Sequence, residues 1–263
     1  MVSLDLTAPT SWNDLSQEQL RLLLKVMVAV QQGNATGRFA SADDYSAQTT
    51  AQIAVICLLR WNNVGVLTPY ADGWLLAHDG HEYAVDAESL ASASTALSWL
   101  SAMPSEPVRL DSVAGGNAVK SDLSEGFPFE AWLACENIWQ GYISTGSDEA
   151  LRQMAEILYN TPGIKPEPYE LLGVFYWWAA VKSLFTRRYP YFFKPADATE
   201  DDGFGGPDSF DARRNVEAQI RALTKGDITK RQQILELESS WALAELDALA
   251  REYDELNRKY PKK

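Results

Sequence analysis

The chain has 263 residues, 46% of them apolar and 22% charged, with 9 Trp, 11 Tyr and 9 Phe. That composition excludes wholesale disorder, a collagen-like repeat and a disulfide scaffold, and the length allows one large domain or two modest ones. Acidic side chains outnumber basic ones 36 to 23, and the excess lies before position 208: residues 1–207 hold 25 acids and 12 bases, whereas 208–263 hold 11 of each. A field of net charge −13 without a basic patch repels a phosphate backbone, so no nucleic-acid partner is expected.

In chain order, Leu15-Ser-Gln-Glu-Gln-Leu20 is a helix-start signal, with Ser16 and Gln19 placed for reciprocal capping. The helix it opens carries Leu20, Leu23, Leu24, Met27 and Val30 on one stripe and stops at Gly33-Asn34. A polar loop over 33–47 and a second apolar helix over 46–61 follow. Between 64 and 85 the period becomes strand-like, and Asp79-Gly80 between two strands predicts a type I′ hairpin. Asp86 is placed to cap a helix to about position 103, a short strand is read at 107–110, and glycines and prolines break the chain up to 128.

From 129 onward the pattern is helical and aromatic, with helices predicted over 129–143, 148–159 and 169–188. The last of these contains Phe175-Tyr-Trp-Trp178 and reads as the central helix. Glycines and acids concentrate over 196–207, with Pro190 and Pro195 before them and Pro207 at the end, and this stretch reads as a linker. Beyond it a helical pair is expected, one helix over 208–224 and a second capped by Asp227 and running toward Tyr260. Ile228, Leu235, Ala242, Leu249 and Leu256 recur every seven residues, with Ser239, Leu246, Tyr253 and Tyr260 on the neighbouring row. The same spacing serves an antiparallel hairpin within one chain or a contact with another chain.

The fold class is therefore mainly α, a helical body over 1–195 with one small β-hairpin insertion near 64–85 and a C-terminal helical hairpin over 208–263. Cys57 and Cys135 lie in apolar runs and read as reduced core thiols. The longest apolar run, near 171–180, falls short of the ~20 residues a membrane span needs, so no membrane partner is expected and the chain reads as cytoplasmic.

Catalytic chemistry finds little purchase. His78 and His81 are the only histidines and flank the hairpin turn, where solvated turn residues are the simpler reading. The acids of 197–202 lack the ligand spacing of a calcium loop, and Gly115-Gly116 and Gly203-Phe-Gly205-Gly206 lack that of a phosphate cradle. No Gly-x-Ser-x-Gly occurs, and the Trp-rich stretches suit core packing better than a sugar platform. No enzyme activity, metal or cofactor is expected.

Ala218-Gln-Ile-Arg-Ala-Leu-Thr-Lys-Gly-Asp-Ile-Thr-Lys230, Ile234-Leu-Glu-Leu237 and Trp241-Ala-Leu-Ala-Glu-Leu246 resemble a segment of proteins encoded in the tail-gene regions of tailed bacteriophages and prophages. Ser11-Trp-Asn-Asp-Leu-Ser16 and Cys57-Leu-Leu-Arg-Trp61 are similar to the same group. The resemblance implies a helical protein acting in tail assembly, as a chaperone for the tape-measure protein or as a minor tail component. It would work in the host cytoplasm during assembly or within the virion. Its partners would be other phage-like tail proteins or further copies of itself, and the seven-residue spacing offers Ile228, Leu235, Ala242, Leu249, Leu256, Leu246 and Tyr253 as the residues that bind them. The rival readings are a self-assembling structural subunit, and a hydrolase or carbohydrate-binding protein built on a carboxylate or Trp-rich site.

Overall fold

A computed structural model of the chain describes residues 4–34, 42–194 and 212–260. It is mainly helical with a small antiparallel sheet, as the pattern predicts. The expected linker over 196–207 lies outside the described residues. The chain divides into two compact units: one comprises 1–104, 108–111 and 166–176, the other 105–107, 112–165 and 177–263.

The first unit is built on α1 (Gln17–Asn34) and α2 (Ala42–Trp61). Ser16 and Gln19 form the predicted reciprocal cap: Gln19 N donates to Ser16 Oγ at 3.2 Å and Ser16 N to Gln19 Oε1 at 2.9 Å. The capped helix buries Leu20, Leu23, Leu24 and Met27, and α2 packs along it with Ile53, Ala54, Cys57 and Leu58 buried. Trp12 closes one end of this core. Its ring lies 5.5 Å from Trp99 and 5.0 Å from Tyr176, and its Nε1 donates to Ala102 O at 3.0 Å.

The predicted hairpin is β2 (Gly73–His78) and β3 (His81–Asp86), joined by Asp79 and Gly80, both at positive φ as a type I′ turn requires. A third strand, β1 (Gly65–Tyr70), pairs antiparallel with β2 and extends the expected hairpin to an order of β1-β2-β3. Leu76 drives the sheet's inner face into a cluster with Leu59, Val64 and Leu90. Asp86 caps α3 (Ala87–Ser94), accepting from Ser89 N at 2.6 Å. The helix expected to reach 103 stops at Ser94 and tightens into a 3-10 segment, Thr95–Ser101, where Trp99 Nε1 donates to Pro9 O at 2.9 Å.

No strand forms at 107–110; in the second unit β4 (Ser112–Val113) pairs instead with β5 (Gly116–Asn117). The helices are α4 (Phe129–Thr145), α5 (Asp148–Leu158), α7 (Ala212–Thr224), α8 (Arg231–Glu236) and α9 (Ser239–Lys259). The long helix α6 (Pro168–Arg188) contributes its residues from Trp177 onward here and its earlier ones to the first unit. The aromatic run reads correctly as core: Trp132 lies 5.1 Å from Trp178 and 4.9 Å from Phe185, and Trp177 Nε1 donates to Ser121 O at 2.6 Å.

Both cysteines are buried free thiols. Burial pushes the Cys57 thiol up to about 12, and burial and then the neighbouring Glu136 carboxylate raise Cys135 as well. Among the described residues no helix is long and apolar enough to cross a membrane.

Candidate functional site

The seven residues expected to face a partner do not share one helix. Asp227 starts the segment as predicted, accepting from Thr229 N at 3.0 Å, but the helix drawn from 227 toward 260 is three pieces. Ile228 sits in a 3-10 turn, Ile228–Lys230, and is 86% exposed; Leu235 is half-buried on α8. The chain then becomes extended at Leu237 (ψ 149°) and Glu238 (ψ 132°).

Backbone partners from another segment cause the break. Phe129 N donates to Leu237 O at 2.7 Å, Ser239 N donates to Phe127 O at 2.8 Å, and Gly126 N donates to the Glu238 carboxylate at 3.0 Å. These bonds replace helical ones, so α9 starts afresh at Ser239. Ser239-Ser240 was the one local hint, since serine favours helix starts over helix interiors.

On α9 the seven-residue rows survive, and the structure splits them. Ala242 and Leu246 are buried, and α9 packs against α4 and α7. Leu249 is half-buried. Tyr253 and Leu256, and Tyr260 as the cap just past the helix, then continue the same alternating three- and four-residue spacing while 60%, 58% and 66% exposed. Polar bonds fix the helix along this length: Asp247 Oδ1 accepts from Tyr191 N at 2.8 Å and Phe192 N at 2.9 Å, and Asp254 pairs with Lys194 at 3.0 Å. A row that begins as core thus emerges as surface. Trp241, 74% exposed on a different side of α9, is an apolar surface residue that heptad reasoning passes over.

A second feature went unread in the sequence. A cleft of about 470 Å³ opens between α4, α6, α7 and the turn after Tyr189, with Trp132, Phe193 and Gln219 in its walls. Lys182 donates to Glu136 Oε2 there at 2.5 Å. Burial raises the Glu136 carboxyl above its ordinary range, with Lys182 opposing the rise. Glu136 is the one carboxylate among the described lining residues, whereas a glycosidase pair needs two at about 5–9.5 Å. Residue 136 and residue 182 show no helical periodicity relation, so only the tertiary fold joins them.

The histidines face one another across the turn as partners in the β2–β3 register, with His81 Nδ1 3.0 Å from Asp79 O. Among the described residues no group of three or more His, Cys, Asp or Glu is placed to hold a metal. Gly115 and Gly116 form and leave the β4–β5 turn, and the residues of 197–206 singled out above lie outside the described residues. No family model, curated protein or solved structure matches the chain.

Proposed function

We propose that the protein is a non-catalytic assembly protein of a phage-like particle, a tail-assembly chaperone or minor tail protein that works by binding protein. The observation that carries this reading is the emergence of Tyr253, Leu256 and Tyr260 from the core row into solvent. Contiguous exposed apolar residues on a helix fixed by polar bonds are the usual makings of a helix-to-protein contact. The resemblance of 218–246 to tail-region proteins supplies the particle context. Partners are other tail proteins or the chain itself, with no nucleic acid, membrane or cofactor invoked. The single carboxylate of the cleft lends the hydrolase reading less support than the exposed row lends to binding.

The test is affinity capture from lysate of phage-producing cells with full-length bait and with Tyr253→Asp/Leu256→Asp bait, followed by mass spectrometry. Both substitutions sit on exposed positions, and circular dichroism checks the fold. Identified tail proteins should be held by the first bait and lost from the second. Equal capture by both, or no tail protein on either, would overturn the reading.

A further inference from the structure

The row on α9 is flanked by charges whose arrangement selects a partner. With Leu246, Tyr253 and Tyr260 on one core row and Ala242, Leu249 and Leu256 on the other, the position before each member of the first row is Glu245, Glu252 and Lys259. The opposite flank carries Ala250 and Asn257, both uncharged. The pair Arg251–Glu255, 3.1 Å apart, lies by helical spacing on the far side from the row.

We propose that the exposed half of α9 pairs with the same segment of a second copy of this chain, antiparallel and about a two-fold axis. This deepens the proposed function and rests on its reading of the row as a protein contact. Antiparallel helices match a row of one kind against a row of the other, so Tyr253 lies opposite the partner copy's Leu256, and Leu249 opposite the end of its helix, which Tyr260 caps. In that register Glu252 of each copy meets Lys259 of the other, giving two identical opposite-charge contacts, while the neutral flank lets the backbones approach. A parallel pair in the same core would set Glu252 against the uncharged Asn257, so charge complementarity selects the antiparallel arrangement. The helices would overlap over roughly ten residues, about 15 Å. That is less than the ~800 Å² per partner of a standard interface, so the association is weak and concentration-dependent.

The experiment uses the full chain at physiological salt, which screens the repulsion between two acidic bodies, and reads self-association by sedimentation equilibrium. Wild type should dimerise at high concentration, and Leu256→Asp should abolish dimers. Lys259→Glu, and separately Glu252→Lys, place like charges at both contacts and should weaken association at least about tenfold. A 1:1 mixture of these two variants restores opposite charges at both contacts and should return heterodimers to within about threefold of wild type, as should the double variant. All these positions are exposed, so folding is not at stake.

A monomer at every concentration overturns the proposal, as does a dimer indifferent to the charge reversals. If the protein stays monomeric while Leu256→Asp still loses identified tail proteins, this inference falls and the assembly function stands. If the charge swap works while capture is unchanged, the function falls and the pairing stands.

Discussion

Lys182 and Glu136 meet at 2.5 Å in the cleft of the second unit, with the Lys182 ammonium 4.9 Å from the Phe193 ring centre and 5.6 Å from that of Trp132. Neither side chain is more than a quarter exposed, so each charge depends on the other for its compensation. Lys182→Met should destabilise the protein by about 2 kcal/mol at neutral pH, because it leaves a carboxylate desolvated without its counter-charge. Since burial raises the Glu136 pKa, the native state binds that proton more tightly than the unfolded chain does. Through this group stability therefore falls as pH rises from the ordinary glutamate value through the raised one. The gap between variant and wild type should shrink at mildly acidic pH, where Glu136 takes up its proton; urea unfolding at two pH values checks both statements.

Asp86 shifts the other way. Its carboxylate accepts from the backbone N–H and hydroxyl of Ser89, which lower its pKa, so the stability it confers is present above its unfolded value and lost as pH falls through the folded one. Asp86→Ala should lower the Tm at neutral pH and flatten the acid limb of the stability curve. A thermal melt series across the carboxylate range would show an unchanged acid limb if the cap were dispensable.

Leu246 and Leu256 belong to the same repeating pattern and should respond differently. Leu246→Ala removes core contacts and should cost about 3 kcal/mol, whereas Leu256→Ala, in solvent, should stay within about 0.5 kcal/mol. Chemical denaturation of both separates the part of the pattern that folds the chain from the part available to a partner. Equal losses would mean that Leu256 is buried in the native protein.

Gly73 opens β2 where a side chain has no room. A Cβ at that position would overlap the Val85 carbonyl and lie 2.6 Å from Asp86 Cα, both backbone atoms of the neighbouring strand. Gly73→Ala should therefore displace the end of β3 and lower stability by at least about 2 kcal/mol. Loss of cross-strand nuclear Overhauser contacts between Gly73 and Asp86 would report the local cause.

Where a structural decision was local, the sequence displayed it. The Ser16–Gln19 cap, the Asp79-Gly80 turn and the Asp86 cap each need only neighbours within three residues, and each forms as read. The strand-like reading from 64 covers β1, but its place as a third strand was not legible: every residue of Gly-Val-Leu-Thr-Pro-Tyr is exposed, and Pro69 is a poor strand former. The break at Leu237 was invisible for another reason. Its cause is the backbone of 126–129, more than a hundred residues earlier, and nothing in the heptad rows encodes that distance. The candidate surface was accordingly half legible: residue types and spacing were on display, but which of them the body would absorb was not. The Glu136–Lys182 cleft is the extreme case, because both partners read as ordinary helix residues until the fold joins them.

Asp247 and Asp254 act on α9 as two clamps. Past the second, the helix runs on through Lys259, about 7.5 Å further. Tyr253, the root of the exposed row, is adjacent to the second clamp, while Tyr260 caps the helix end. The contact row proposed above is therefore anchored to the body at its Tyr253 end, beside the Lys194–Asp254 pair.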